Sequence, residues 1–215
     1  MPNATMIRTA QVLLILLASV GAVALDVNIS SELEFVDVTH DGQPVRIMRN
    51  QDPQHKISER YALTSRKCPP FCIQPAVIAP GVETIAELEM LQYLKQAASG
   101  DASVLVIDSR TPDWVENGTI PGSINIPWTM LDTGAGADPF QVADILQQRF
   151  GVKNREGLWD FSAARTLVLF CNGNWCGQSP ANIRTLLSLG YPPARLKWYR
   201  GGMQNWEMLG LTVVK

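Results

Sequence analysis

The chain has 215 residues, 46% of them apolar and 18% charged, which suits a packed core and excludes a disordered or fibrous protein. Eighteen Lys and Arg against 20 Asp and Glu give a formal charge of −2, which excludes a nucleic-acid binder driven by phosphate contacts. Four cysteines are too few for a disulfide scaffold, so their spacing carries the information.

Residues 1–24 read as a cleavable signal peptide. Arg8 is the only charge before Asp26, Val12 to Val20 is apolar, and Ala22-Val23-Ala24 is a small-residue cleavage site. The apolar stretch from Val12 to Leu25 is shorter than the about 20 residues that a spanning helix needs. This reading predicts cleavage after Ala24, no stable membrane insertion afterwards, and a periplasmic or secreted protein in an oxidising compartment.

Residues 25–82 form an irregular N-terminal extension. Asp41-Gly42 between Phe35–Val38 and Val45–Met48 predicts a β-hairpin. A polar stretch leads to a loop with the sequence Cys68-Pro69-Pro70-Phe71-Cys72. His40 and His55 lie in this part without a partner pattern and read as surface residues. Fifty-eight residues are marginal as an independent domain, so the extension is expected to pack on the rest.

From residue 83 the pattern becomes regular. Thr84 with Glu87 reads as a capping box, and Ile85, Leu88, Leu91 and Leu94 as the buried stripe of a helix that Ser99-Gly100 ends. Val104–Ile107 reads as a buried strand and Ile124–Ile126 as a short one. Asp138-Pro139 opens a helix whose stripe is Phe140, Ala143, Leu146 and Phe150. Thr166–Phe170 is a further buried strand, Ser179-Pro180 opens a helix with Ile183, Leu186 and Leu187 inward, Leu196–Tyr199 is the last strand and Met203–Leu209 the last helix. This alternation predicts an α/β domain over 83–215, a parallel sheet flanked by helices, with its ligand site beyond the carboxyl ends of the strands.

Two strands run into reactive groups there, Ile107 into Asp108 and Phe170 into Cys171. After Cys171 come Asn172, Gly173, Asn174, Trp175, Cys176, Gly177, Gln178 and Ser179, and then a helix. Inward loop amides and a helix N-terminus favour an anion at the loop centre, which lowers a thiol pKa and makes the sulfur a nucleophile. Trp114, Trp128, Trp175, Trp198 and Tyr199 are candidate pocket walls, and Trp175, inside the loop, is the first of them.

Three features together resemble the rhodanese family. They are Asp108-Ser109-Arg110 followed by Trp114 and Gly118-Thr119-Ile120-Pro121-Gly122-Ser123, then Cys171 after an apolar strand, then Gly201-Gly202-Met203-Gln204-Asn205-Trp206. The resemblance implies a sulfurtransferase. Cys171 would take a sulfane sulfur from a small anionic donor such as thiosulfate, hold it as a persulfide, and pass it to a thiol or cyanide acceptor. No metal and no organic cofactor is implied. The sequence departs from the family where Thr119 replaces a His and where the loop is longer and has no Arg or Lys. The donor's charge would then fall to Arg110 or Arg200.

Other residues keep more than one reading. Asp108 and Arg110 could serve the substrate or form a structural ion pair. Gly201, Gly202 and Trp206 read as scaffold. Cys176 could resolve a persulfide on Cys171 or be a small loop residue. Cys68 and Cys72 could form a disulfide, a redox pair, or half of a four-cysteine metal site with the other two. Besides the sulfurtransferase, two functions stay open: a thiol-disulfide or persulfide redox protein using Cys171 and Cys176, and a non-catalytic binding module on the same fold.

Overall fold

The structure, a computed structural model, describes residues 26–215. The signal-peptide reading of residues 1–24 lies outside the described residues. In chain order, β1 (Phe35–His40) and β2 (Gln43–Met48) form a hairpin, followed by the one-turn helix α1 (Glu59–Ala62). Then come β3 (Glu83–Ile85), α2 (Glu87–Ala98), β4 (Val104–Asp108), α3 (Pro112–Val115), β5 (Ile124–Asn125) and α4 (Pro139–Asp144). A small hairpin, β6 (Lys153–Arg155) and β7 (Leu158–Asp160), precedes β8 (Thr166–Phe170), α5 (Gln178–Ser188), β9 (Leu196–Tyr199) and α6 (Gly202–Met208).

Five strands make one parallel sheet in the order β3-β9-β8-β4-β5. The fold is thus α/β with a parallel sheet flanked by helices. Side chains alternate across it, as the two-residue period of a strand requires. In β8, Leu167 and Leu169 face α5 with Ile183 and Leu186, whereas Val168 and Phe170 face α2 with Met90, Leu91 and Leu94. Trp206 and Met203 of α6 complete this second core, and each such buried side chain contributes about 1.5–3 kcal/mol.

Asp41 and Gly42 turn the first hairpin with φ of 48° and 75°, a turn geometry that glycine tolerates best. The hairpin packs on the α2 side, with Val36, Val38 and Ile47 buried in the same core as Trp206. Backbone bonds from Asn50 N to Gly210 O and from Thr212 N to Met48 O fasten the extension to the C-terminal segment. His40 belongs to this contact and is not a free surface residue: Gly122 N donates to its Nδ1 at 3.3 Å. His55 is exposed.

Several local expectations need correction. Thr84 lies in β3, where its hydroxyl bonds Ala76 O, and the helix begins at Glu87; Glu89 Oε2 caps it by accepting from Ala86 N at 3.1 Å. Pairing with β9 outweighed the local capping pattern. Leu88 is exposed, and Met90 takes its place in the stripe. Asp138 does cap α4, accepting from Phe140 N at 2.9 Å, but Phe140 is 82% exposed. After α4 the chain continues as a wider π turn, Ile145–Arg149, so Val142, Ile145, Leu146 and Phe150 are the buried residues. Leu187 is only half-buried. The β6–β7 hairpin has no counterpart in the sequence reading.

Candidate active site

Beta-strand β8 delivers Cys171 to the carboxyl edge of the sheet, and the loop 172–177 returns the chain to α5. Cys171 is 2% exposed. Ser179 Oγ donates to its sulfur at 3.1 Å and is itself held by the Trp198 indole N–H at 3.1 Å. The Cys171 thiol in turn reaches Cys176 O at 3.4 Å. Burial alone would push this thiol up. The hydrogen bonds from the Cys176 thiol, the Ser179 hydroxyl and the Ser179 and Gly173 amides act against burial and bring it down to about 7. The α5 N-terminus adds partial positive charge from the same side. For Cys176, burial and the neighbouring Cys171 sulfur both push the thiol well above its ordinary value. The two thiols are thus shifted in opposite directions, Cys171 down and Cys176 up.

Helix α6 fixes the other side of the loop. Met203 N donates to Cys171 O at 3.0 Å and Gln204 N to Asn172 O at 2.9 Å. Gly202 makes that approach feasible. Its φ is 55°, and a Cβ there would lie 2.7 Å from Gly173 N and closer still to Cys171 O. The Gly-Gly pair is therefore part of the site's construction as well as scaffold. Gln204 also accepts the Trp175 indole N–H at 2.7 Å and donates to Tyr61 O at 2.8 Å.

Asp108 and Arg110 are fully buried and joined at 2.5 Å between Oδ2 and Nη2. Arg110 spends its remaining donors on the Tyr61 hydroxyl at 3.0 Å, Gly118 O at 2.7 Å and Trp114 O at 3.3 Å. Thr119 donates to Asp108 Oδ2 at 2.7 Å. The pair orders the loops of the sheet edge and has no donor free for a substrate. Arg200 is occupied too, with Nη2 on Gln74 O at 2.9 Å and Nε on Pro75 O at 3.2 Å. Arg110 is thus neutralised by Asp108 and has its donors in use, whereas Arg200 keeps its charge and its Nη1 and uses its other nitrogens to hold two carbonyls of residues 74–75.

The sequence reading missed two residues. Tyr61 reaches from α1 to donate its hydroxyl to Asn172 Oδ1 at 2.8 Å. Arg66 stacks over Trp175, its guanidinium carbon 4.2 Å from the ring centre. Nothing in the polar stretch 49–67 distinguishes either residue beforehand.

A cavity of about 360 Å³ opens beside the loop, walled by Pro70, Phe71, Trp114 and Trp128 and floored by Asn172, Cys176 and Gln178. Trp175 lines a neighbouring cavity of about 640 Å³ with Arg66, Cys68 and Cys72. The aromatic walls beside the Cys176 thiol are thus Trp114 and Trp128; Trp198 and Tyr199 are core residues. Cys68 and Cys72 are joined by a disulfide. That bond removes them from any four-cysteine metal site, and it sets Phe71 edge-on to Trp175 at 5.6 Å.

A parallel α/β sheet with a strand-end cysteine cradled by amides defines the class. A rhodanese-like domain model matches residues 90–209, more than half the chain, and the chain belongs to the rhodanese-like family. No curated protein sequence matches it. It is similar in structure to the protein of unknown function RPA3614 from Rhodopseudomonas palustris CGA009, with 22% identity, TM-score 0.42, 64% of this chain and 88% of that one covered. For the human single-domain sulfurtransferase TSTD1 the values are 22%, 0.38, 59% and 97%. For the thiosulfate sulfurtransferase from Pseudomonas aeruginosa they are 20%, 0.40, 62% and 20%. Among the described residues, no helix is long and apolar enough to cross a membrane.

Proposed function

We propose that the protein is a sulfurtransferase in which Cys171 carries the sulfur. The observation that supports this best is the Ser179 hydroxyl donating to the Cys171 sulfur at 3.1 Å at the start of α5, in surroundings that bring its thiol down to about 7. A thiolate is then abundant at neutral pH without a metal or a separate base. The Cys171 thiolate attacks the outer sulfur of a donor such as thiosulfate. A sulfur–sulfur bond forms to Cys171, the donor's sulfur–sulfur bond breaks, and sulfite leaves with the electron pair. The resulting persulfide anion occupies the same amide cradle. An acceptor such as cyanide or a thiolate then takes the outer sulfur and restores the Cys171 thiolate.

Donor choice follows from charge. Arg110 is neutralised by Asp108 and the loop itself has no Arg or Lys, so a dianionic donor at Cys171 is met chiefly by amides and the helix terminus. Weak thiosulfate binding, seen as a high KM, belongs to this reading. Export is also part of it, with residues 1–24 as the signal peptide, 25–82 as the extension and 83–215 as the rhodanese-like domain. The Cys68–Cys72 disulfide supports an oxidising compartment. The test is mass and peptide mapping after incubation with thiosulfate, on the wild type and on Cys176→Ser: one sulfur gained on Cys171 and removed by cyanide supports the reading, and no sulfur on Cys171 in either protein contradicts it.

A further inference from the structure

We propose that Cys176 is a resolving thiol, which gives the site a second activity as a sulfane-sulfur reductase. It attacks the Cys171 persulfide at the Cys171 sulfur, expels sulfide, and closes a Cys171–Cys176 disulfide. The proposal rests on the reading of Cys171 as the sulfur carrier.

Four observations place Cys176 in this role. The Cys171 thiol donates to the Cys176 carbonyl oxygen at 3.4 Å, and the Cys176 side chain is near enough to help lower the Cys171 thiol. It floors the cavity between Phe71, Trp114 and Trp128, whereas Cys171 is not among the lining residues. Two other loop side chains are firmly held, Asn172 by Tyr61 at 2.8 Å and Trp175 by Gln204 at 2.7 Å. The Cys176 sulfur has only long contacts besides Cys171, at 3.9 Å to Asn172 Nδ2 and 3.9 Å to Gln178 Oε1. A loosely held thiol against a reactive sulfur is positioned for exchange, not for packing.

The charges also set the order of events. In the resting site the neighbouring Cys171 sulfur keeps Cys176 protonated, so Cys171 is the sulfur that attacks the donor. In the persulfide the negative charge moves to the outer sulfur, and Cys176 then has a proton to hand to it. The step is Cys171–S–S⁻ plus Cys176–SH giving Cys171–S–S–Cys176 plus HS⁻. The bond between the Cys171 sulfur and the sulfane sulfur breaks, and the bond between the two cysteine sulfurs forms. The sulfane sulfur is reduced to sulfide, and the two cysteines are oxidised. Turnover then requires a dithiol reductant, which opens the disulfide by exchange and returns both thiols.

The test uses reduced, thiol-free protein with one equivalent of thiosulfate. Sulfide is measured together with non-reducing peptide mass, and samples without thiosulfate serve as the control. The wild type is expected to release close to one sulfide per chain and to show a peptide pair joined through Cys171 and Cys176. Cys176→Ser keeps a hydroxyl that can donate to Cys171; it is expected to gain one sulfur on Cys171, to hold it at least about tenfold longer, and to release no sulfide. Cys176→Ala serves as a second variant if the first fails to fold. Wild-type protein that accumulates a lasting Cys171 persulfide without sulfide would overturn the proposal while leaving the transferase intact. If neither protein gains sulfur, the transferase reading fails and the proposal falls with it.

Discussion

The Tyr61 hydroxyl donates to Asn172 Oδ1 at 2.8 Å and accepts from Arg110 Nη1 at 3.0 Å, so one oxygen joins the extension, the buried ion pair and the cysteine loop. Without it, Asn172 Oδ1 keeps only a 3.5 Å contact with Arg110. Tyr61→Phe should therefore destabilise the protein by about 1–3 kcal/mol, the cost of leaving buried polar groups short of partners. A thermal melt would show this as a drop of roughly 2–4 °C for each kcal/mol in a chain of this size. An unchanged melting temperature would show that the extension does not brace the loop.

Ser179→Ala removes the hydroxyl at the Cys171 sulfur and leaves the Trp198 indole N–H without its acceptor. The thiol should rise from about 7. Persulfide formation at neutral pH should fall roughly fivefold or more and recover as pH approaches the ordinary thiol range. A purely structural role would instead lower the rate equally at every pH, so the rate profile between neutral and alkaline pH separates the two.

The lowered Cys171 value also has a stability consequence. Its folded pKa of about 7 lies below the ordinary 9.0, so between these values the unfolded chain binds more protons. Stability from this group therefore rises with pH across that window and is lost as pH falls through 7. Cys176, held well above 9.0, acts with the opposite sign only at higher pH. Melts of the wild type and Cys171→Ser at neutral and mildly alkaline pH should differ in slope, the wild type gaining relative to the variant. Parallel curves would mean that the thiol is not lowered in the fold.

The Cys68–Cys72 disulfide closes a short loop, so its removal should cost about 2 kcal/mol or less. Its larger effect should fall on the site, because the loop presents Pro70 and Phe71 as cavity walls. Cys68→Ser with Cys72→Ser is expected to melt only slightly lower and to raise KM for an aromatic thiosulfonate donor more than it changes kcat. Kinetics identical to wild type would remove this loop from the binding surface.

The sequence carried the sheet because buried strands such as Val104–Ile107 and Thr166–Phe170 are continuous apolar runs, and it carried Cys171 because a strand-end cysteine before a glycine loop has few structural uses. What it hid depends on distant partners. Three-residue β3 exists only by pairing with β9, and its Thr84 imitates a helix cap. The π turn after α4 rotates the buried face by a fraction of a turn, which a regular 3.6 period does not capture for Phe140. The β6–β7 hairpin has little apolar signal and turns at Glu156-Gly157 without the Asn or Asp of a recognisable turn. Tyr61 and Gly202 shape the site through contacts 111 and about 30 residues away in sequence, which local spacing does not encode.

Intact mass of the purified protein before and after thiosulfate, followed by cyanide, tests the central claim most directly when run with peptide mapping of all four cysteines. The account predicts that one sulfur atom enters the chain through Cys171, directly as a persulfide in Cys176→Ser, and that cyanide removes it as thiocyanate. A Cys176→Ser chain whose Cys171 gains no sulfur from thiosulfate or an aromatic thiosulfonate at any pH from neutral to alkaline, with no sulfide released by the wild type, would contradict it.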